Sequence, residues 1–390
     1  MNYILFDGAT RAQLLPFTYT RPVADIRFGI LTMRERWEYL LGYTTSTITE
    51  DYLANKWPMV EMEENIMINA AYFPTEELLI QIQNLKKSEA IFDNDDIVAF
   101  FSEEDAEVNF EKYSQIEIKG EVIKLENSWD IFAKNDKAIS CDFQLVTQDK
   151  ESEPIPSSNY VKNAENIFIE EGASVENCSL NASNGPIYIG KNALVMEGSL
   201  LRGPIAIGEE AIIKMGAKIY GATTIGPGSR AGGEINNSVL FQNSNKGHEG
   251  YLGNSVLGEW CNIGADSNNS NLKNNYAEVK LWSYQSERFE NTGLQFCGLL
   301  MGDHSKCGIN TMFNTGTVVG VSCNIYGTGF PRNFIPSFSW GGSAGMKIYQ
   351  TSKAFEVAEL VLKRREEEFT EEDKEILTHV FEETSKFRRY

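Results

Sequence analysis

Aliphatic residues recur at every sixth position through much of the second half of the chain. From residue 189 they are Ile189, Val195, Leu201, Ile207, Ile213, Ile219 and Ile225, and the residue four places after each is small in six of these seven cases. An amphipathic helix repeats every 3.6 residues and a half-buried strand every two, so neither explains this period. Three short strands per turn, each pointing one aliphatic side chain inward, do explain it. The pattern therefore predicts a left-handed parallel β-helix built from hexapeptide repeats.

The same period appears on both sides of this run. It begins with Ile169 and Val175, resumes with Leu257 and Ile263, and continues at Met301, Cys307, Phe313, Val319 and Ile325. The predicted β-helix therefore spans 160–348. Residues 266–298 keep no six-residue register, and an insertion into a stacked coil has to leave it as an excursion, often on the binding face. We expect such an excursion here.

Before the β-helix the pattern changes to that of an α/β domain. Buried strands are indicated at 3–6 and 64–69, a helix begins after Thr75, and two strands flank the acidic turn in 90–101. The sequence predicts an α/β domain at 1–147, a polar, proline-containing linker at 148–159, and C-terminal helices at 349–390. The stretch TEED at 370–373 resembles a capping box that starts the second of these helices.

Composition and charge narrow the classes of function. A chain of 390 residues is too long for one ordinary core. Its net charge of −20 argues against binding nucleic acid or an anionic membrane surface, although a small anionic substrate is compatible with it. The six cysteines form no C-x-x-C pair, which favours reduced thiols. The start MNYILFDG has no basic flank, and no apolar run is long enough to span a membrane. We expect a cytoplasmic protein.

One of only three histidines, His248, lies in the glycine-rich stretch NKGHEGYLG, just before the excursion. Glycines let backbone and substrate approach each other closely. Histidine exchanges a proton readily near neutral pH, which suits a general base. A zinc site of three histidines is disfavoured, because His379 belongs to a terminal helix and His304 to a distant coil. The alternative for His248 is a structural hydrogen bond.

This stretch resembles a known family closely. Residues 244–253, 257–258 and 261–265 match, without a gap, the pattern S-K-A-G-H-x-x-Y-L-G-D-x-x-I-G-x-x-x-N-I-G-A-G of the bifunctional N-acetylglucosamine-1-phosphate uridyltransferase/glucosamine-1-phosphate acetyltransferase family. The resemblance implies a homotrimer that transfers an acetyl group from acetyl-CoA to an amino-sugar 1-phosphate. It implies His248 as the general base, and Tyr251, Asn262 and Asn271 as substrate-binding residues. Asn236 stands where that family has a basic residue.

The N-terminal domain resembles sugar-phosphate nucleotidyltransferases, a Rossmann-like fold. Their motif L-A-A-G-x-G-T-R appears here as ILFDGATR, in which Asp7 and Ala9 replace both signature glycines of the phosphate loop. The resemblance implies nucleotide-binding roles for Gly8, Thr10, Arg11 and Arg21, with UTP as the nucleotide donor and Mg²⁺ as a cofactor. The metal-binding G-D of that family is missing, and 69–71 reads NAA instead.

The whole chain is similar to a divergent form of this bifunctional family known mainly from Bacteroidetes-type bacteria. That form shares the opening LFDG…LLPFTxTRPVA and the late segment IPSFSWGG, found here at 335–342. Two other functions stay open. The chain could be a nucleotidyltransferase whose β-helix only trimerises or regulates, or a non-catalytic binding scaffold in which Arg11 and Arg21 are ordinary surface charges.

Overall fold

The computed structural model describes residues 1–104 and 108–390, which form two compact units. The first unit comprises 1–26 and 31–127, and the second comprises 27–30 and 128–390. The segment 148–159, predicted as a linker, lies in the second unit, where the Glu153 N–H donates to the Ile169 carbonyl at 2.8 Å. This predicted linker therefore already pairs with the first turn of the coil.

Within the described part of the first unit, the strands form one mixed sheet in the order β2-β1-β3-β5-β4-β6. The elements are β1 (Asn2–Phe6), α1 (Met33–Leu41), β2 (Ser46–Ile48), α2 (Asp51–Ala54), β3 (Glu64–Asn69), α3 (Glu76–Gln83), β4 (Glu89–Asp93), β5 (Asp96–Glu103) and β6 (Ser114–Glu117). Single turns of 3-10 helix lie at Ala9–Leu14, Phe17–Tyr19, Val23–Asp25 and Phe110–Lys112.

The predicted elements of this domain are confirmed. Strand β1 is parallel to β2 and β3, and its central residues are buried on both faces, as its continuous apolar run predicts. Helix α3 begins where expected because the Thr75 hydroxyl accepts a hydrogen bond from the Leu78 N–H at 3.4 Å. Strands β4 and β5 are antiparallel around the acidic turn, which Asn94 enters with a left-handed φ of 52°.

The second unit is a coil of short strands followed by helices. Its elements are α4 (Asp130–Ala133), α5 (Asn135–Thr147), β7 (Tyr160–Lys162), β8 (Ile167–Ile169), β9 (Ser174–Val175), β10 (Ser179–Asn181), β11 (Ile187–Ile189), β12 (Leu194–Val195), β13 (Leu200–Arg202), β14 (Ile205–Ile207), β15 (Ile212–Ile213), β16 (Lys218–Tyr220), β17 (Thr223–Ile225), β18 (Arg230–Ala231), β19 (Glu234–Asn236), β20 (Val239–Leu240), β21 (Asn245–Lys246), β22 (Tyr251–Gly253), β23 (Val256–Leu257), β24 (Asn262–Ile263), β25 (Asn268–Asn269), β26 (Lys280–Ser283), β27 (Arg288–Asn291), β28 (Leu299–Met301), β29 (Lys306–Cys307), β30 (Met312–Phe313), β31 (Thr317–Val319), β32 (Asn324–Ile325), β33 (Phe334–Ile335), β34 (Ser339–Gly342), β35 (Gly345–Ile348), α6 (Thr351–Lys363) and α7 (Glu371–Glu383).

These strands stack in register into three parallel sheets, the faces of the coil. Face 1 runs from β8 through β11, β14, β17, β20, β23, β28 and β31 to β33. Face 2 runs from β9 through β12, β15, β18, β21, β24, β29 and β32 to β34, with β35 added antiparallel at its end. Face 3 contains β7, β10, β13, β16, β19 and β22. The fold class predicted from the sequence is confirmed.

The six-residue period corresponds to one inward side chain per strand. Residues such as Ile207, Ile213 and Ile219 are fully buried in a single apolar core that runs the length of the coil. Burying each such side chain contributes roughly 1.5–3 kcal/mol. Small corner residues add hydrogen bonds between neighbouring turns, as where the Ser199 hydroxyl donates to the Lys214 carbonyl at 3.0 Å.

The predicted excursion leaves the coil after β25 and returns at β28. It contains the antiparallel hairpin β26–β27. The Trp282 ring of this hairpin stacks on Phe334 at 4.2 Å between ring centroids and meets Phe387 of the C-terminal segment edge-on. The predicted capping box is present at α7, where Thr370 and Asp373 exchange hydrogen bonds. No helix formed by residues 1–104 and 108–390 has the length and apolar character needed to cross a bilayer.

Candidate active site

The regular spacing fails near His248 because the turns of the coil become shorter there. The inward residues after Ile225 are Ala231, Ile235 and Leu240, so two corners use fewer residues than the period of six requires. Glycines permit the tight path. A Cβ added to Gly233 would lie 2.6 Å from the His248 carbonyl oxygen, and Gly233 itself has a φ of 72°. A search for period six therefore loses the coil where the candidate site begins.

His248 lies on the corner between faces 2 and 3, which we call the His248 corner. Strand β21 ends at Lys246, residues 247–250 bend, and β22 begins at Tyr251. The imidazole is exposed at this corner. Gly250 has a φ of 117°, and a Cβ there would meet the Ser267 carbonyl oxygen at 2.1 Å, so only glycine fits. The corner therefore presents His248 outward on a backbone packed tightly against the next turn.

Lys246, inside the coil, stabilises the His248 corner through hydrogen bonds. Its role was not predicted from the sequence. Lys246 occupies an inward position and is 1% exposed. Its ammonium group donates to the Gly232 carbonyl at 3.1 Å and, through a shorter bond, to the His248 carbonyl. The small inward residue of the turn below, Ala231, pairs in register with Lys246 and leaves room for the stem. Burial lowers the pKa of Lys246 to about 8.

Tyr251 and Asn271 are brought together although they are twenty residues apart. The Asn271 side-chain amide donates to the Tyr251 hydroxyl at 2.9 Å and to the side-chain oxygen of Asn254 at 2.8 Å. The Tyr251 N–H in turn donates to the Asn268 side chain at 2.8 Å. The start of the excursion is thus fixed against β22. This cluster of amide and phenol groups can hydrogen-bond the hydroxyls of a sugar.

Asn262 lies apart from this cluster. It belongs to β24 on face 2, where it pairs in register with Asn245 on one side and Lys306 on the other, and its side chain is exposed. Among the described residues, no hydrogen bond joins Asn262 to Tyr251 or Asn271. Asn236 is the last residue of β19 and pairs in register with Gly253. Of the predicted substrate-binding residues, the structure therefore groups two and leaves the third on the other side of the His248 corner.

A cleft of about 640 Å³ runs along the corner between faces 3 and 1. Asn254, Asn236 and Phe296 form its upper end, Arg202 and Asn184 form its lower end, and Asp136 contributes a carboxylate to the lining. Asn254 is hydrogen-bonded to Asn271. The cleft therefore starts beside the Tyr251–Asn271 pair and continues down the coil.

In the first unit, the segment from Asp7 to Arg11 corresponds to the phosphate loop of the nucleotidyltransferases. The Asp7 carboxylate in this loop is surrounded by hydrogen-bond donors of the chain itself. One Asp7 oxygen accepts from the Val23 N–H at 2.7 Å, and the other accepts from the Thr49 hydroxyl at 2.7 Å and from Arg11 Nε at 3.0 Å. Burial raises the pKa of Asp7. The N–H and hydroxyl groups that could otherwise bind a nucleotide phosphate therefore bind the Asp7 carboxylate instead.

The predicted nucleotide-binding residues lie around this loop. Gly8 caps the 3-10 turn Ala9–Leu14. Arg11 also donates to the Thr18 carbonyl and to the Tyr52 hydroxyl at 2.9 Å, so its guanidinium is committed inside the unit. Thr10 and Arg21 are buried, at 8% and 4% exposure. These side chains present little charge to the open side of the loop.

The residues at 69–71 do not suit a magnesium ion. The Asn69 side-chain amide donates to the Ile97 carbonyl at 3.0 Å and its oxygen accepts from the Ala71 N–H at 3.1 Å. Mg²⁺ is usually held by one or two carboxylates together with substrate phosphates. In residues 1–104 and 108–390, no group of three or more His, Cys, Asp or Glu side chains is placed to hold a metal ion.

Part of the chain matches a known protein family. Residues 3–151 match the family model described as sugar nucleotidyl transferase. The bifunctional protein GlmU of Methanocaldococcus jannaschii is 34% identical over 90 residues, which are 23% of this chain and 21% of that protein. The bifunctional sugar-1-phosphate nucleotidylyltransferase/acetyltransferase of Sulfurisphaera tokodaii is 32% identical over 93 residues, or 24% and 23% of the two chains. The match thus spans about a fifth of the length of these relatives.

Among solved structures, a UDP-N-acetylglucosamine acyltransferase from Campylobacter jejuni has a TM-score of 0.28 and 14% identity, covering 59% of this chain and 96% of that one. A UDP-N-acetylglucosamine acyltransferase from Bacteroides fragilis has a TM-score of 0.28 and 15% identity, covering 58% and 96%. Together with the family model, the sequence matches confirm the resemblance first seen in the motifs. Residues 3–151 thus match the sugar nucleotidyl transferase family model, and a segment of about 90 residues is similar to bifunctional sugar-1-phosphate nucleotidyltransferase/acetyltransferases.

Proposed function

We propose that the β-helix transfers the acetyl group of acetyl-CoA to the amine of an amino-sugar 1-phosphate, with His248 as the general base. The observation that carries this proposal is the exposed His248 on a corner held by Lys246, three residues before Tyr251 of the Tyr251–Asn271 pair. An exposed imidazole beside sugar-binding amide and phenol groups is the arrangement that such an acyl transfer requires.

The reaction follows from these groups. The sugar amine attacks the thioester carbonyl, a C–N bond forms, and His248 takes the proton that the nitrogen loses. The negative charge on the tetrahedral oxygen is met by backbone N–H groups. Within the described residues, the N–H groups of His248 and Glu249 make no backbone hydrogen bond, so both are candidate donors. Collapse breaks the C–S bond, and the CoA thiolate leaves and takes up the proton.

We also propose that the chain assembles as a homotrimer along the His248 corner. Large apolar side chains are exposed on this same corner, namely Met215 at 66%, Ile309 at 69% and Tyr326 at 46%. Exposed apolar side chains grouped on one edge favour contact with another protein surface. Packing of a second copy there would enclose the otherwise exposed His248.

The test is release of CoA thiol from acetyl-CoA in the presence of glucosamine 1-phosphate. The His248→Ala variant is expected to lose roughly 10²–10⁴-fold in rate, the usual contribution of a positioned base. His379→Ala is the matched control, because His379 lies partly exposed on α7, pairs with Glu383 and is remote in the sequence from the His248 corner. An active wild type together with an equally active His248→Ala variant would show that His248 is not the base.

A second candidate function is nucleotidyl transfer to the sugar phosphate by the first unit. The match of residues 3–151 to the sugar nucleotidyl transferase model favours it. The closed loop around Asp7 is the feature that opposes it, because a carboxylate repels nucleotide phosphates. Pyrophosphate release from UTP with N-acetylglucosamine 1-phosphate and Mg²⁺ tests this activity independently of the β-helix.

A further inference from the structure

The outward side of face 3 carries an uneven distribution of charge below the candidate site. Register pairing places Arg202, Tyr220, Asn236 and Gly253 in one column on four successive turns. The neighbouring column contains Lys218, Glu234 and Tyr251. Successive strands are about 4.8 Å apart, so Arg202 begins about 10 Å below Asn236.

Asn236 is a poor place for the anionic group of a substrate. It has no charge, and the adjacent strand position holds the Glu234 carboxylate. The Tyr220 hydroxyl donates to Glu234 at 2.6 Å, and this bond raises the pKa of Tyr220 to about 12, so the phenol stays neutral. An anion at this level would therefore meet the Glu234 carboxylate, whereas the cations of the two columns, Lys218 and Arg202, lie on lower turns of the coil.

Two cations lie further down this face, and they differ in their partners. Lys218 is 3.3 Å from the Glu249 carboxylate, which offsets its charge. The Arg202 side chain has no ion pair or hydrogen bond with any residue in 1–104 or 108–390, and it lines the cleft together with Asn236 and Asn254. The Asp136 carboxylate, also in the described part of the chain, lines the same cleft but forms no ion pair with Arg202. An arginine side chain is long enough to reach the next turn of the coil, and its planar guanidinium binds phosphate through two parallel hydrogen bonds.

We propose that Arg202 binds the phosphate of the acceptor within this cleft, in place of the basic residue absent at 236. This inference rests on the proposed acetyl transfer to an amino-sugar phosphate. The sugar lies against Tyr251, Asn254 and Asn271 at the upper end of the cleft, and its phosphate extends down the coil, away from Glu234. Arg202 is then a specificity residue that distinguishes phosphorylated from unphosphorylated amino sugars.

The experiment compares steady-state acetyl transfer to glucosamine 1-phosphate and to glucosamine. Arg202→Gln is expected to raise KM for the phosphorylated acceptor about 10- to 100-fold, the usual effect of losing a charge-assisted pair, with kcat nearly unchanged. The kcat/KM for glucosamine should stay as in the wild type. Arg332→Gln is the matched control, an exposed arginine on the coil outside the cleft.

Two results would overturn the role of Arg202. One is an unchanged KM for glucosamine 1-phosphate in Arg202→Gln, and the other is a KM increase found in Lys218→Gln instead. Calorimetric binding of glucosamine 1-phosphate separates this inference from the proposed function. Wild-type protein that binds the sugar phosphate through Arg202 but releases no CoA would contradict the acetyl transfer alone, whereas binding unaffected by Arg202→Gln would contradict this inference.

Discussion

Replacing Lys246 by methionine tests the cost of placing an ammonium group inside the β-helix. Methionine has a similar length and no charge, so it fills the same inward position above Ala231. In the wild-type chain, burial lowers the pKa of Lys246 from an ordinary 10.5 to about 8. The proton is therefore held less tightly in the folded chain than in the unfolded one.

The magnitude follows from that difference. Each tenfold change in proton affinity corresponds to 1.36 kcal/mol, so the buried charge costs about 3 kcal/mol at pH values below 8. Between pH 8 and 10.5 the unfolded chain binds more protons at this position, and the free energy of unfolding rises with pH. As the pH falls back through 8, that gain is lost. The two carbonyls that lose their donor in the variant add a pH-independent cost of roughly 1–3 kcal/mol each.

The assay is urea unfolding followed by circular dichroism at pH values from 7 to 10.5. The free energy of unfolding of the wild type, minus that of Lys246→Met, is expected to increase by about 3 kcal/mol across this range. Taking the difference cancels the other titrating groups, which both proteins share. Lys191→Met is the control, because Lys191 is a half-exposed lysine of the same coil.

Parallel pH dependence in wild type and variant would refute the reasoning. So would a difference that decreases as the pH rises, because that sign would mean that the fold stabilises the charged form of Lys246.

Two further predictions concern the first unit and the cysteines. Asp7→Asn is expected to lower the free energy of unfolding by about 3 kcal/mol, because the largely buried Arg11 would keep only the more distant carboxylate of Glu50, at 3.7 Å, as a counter-ion; unfolding of the purified variant at pH 7 measures this, and unchanged stability would contradict the pairing. With a neutral maleimide under native conditions, the partly exposed Cys141 should react first, whereas the five buried cysteines, for instance Cys261, whose pKa is raised by burial, should react only in denaturant; labelling of Cys261 in the folded protein, read by mass spectrometry, would contradict its burial.

Much of this fold could be predicted from the sequence because every turn of a stacked coil follows the same pattern of inward and outward residues. Each inward aliphatic residue is set by its own strand, so seven residues at a spacing of six already specify two turns. The six-residue spacing is lost between Ile225 and Leu257, where corners shorten and where Ala231 and Lys246 take inward positions in place of large aliphatic residues. The shortened intervals, from Ala231 to Ile235 and from Ile235 to Leu240, break the register, so a fixed period of six does not predict the inward positions that follow.

The candidate site was only partly predictable for a related reason. The motif around His248 is local and could be recognised directly. The hydrogen bond between Asn271 and Tyr251, and the position of Arg202 in the same cleft, depend on which strands are stacked on one another. In the front domain, the replaced glycines are visible in the sequence, but the three donor groups that surround Asp7 come from three separate segments.

The excursion has a further consequence for how such a chain can change. Strand β23 pairs directly with β28, and β24 pairs with β29, so the turns on either side of the inserted segment are already joined. The inserted segment interrupts the six-residue pattern of the sequence, but the strands before and after it remain stacked on each other. Insertions, deletions or exchanges within this segment can therefore change residues that line the cleft, while every strand of the coil keeps the strands with which it pairs. The excursion carries part of the cleft lining, such as Phe296, whereas the core residues lie on the strands of the coil, so this part of the lining can evolve or be redesigned without altering the core.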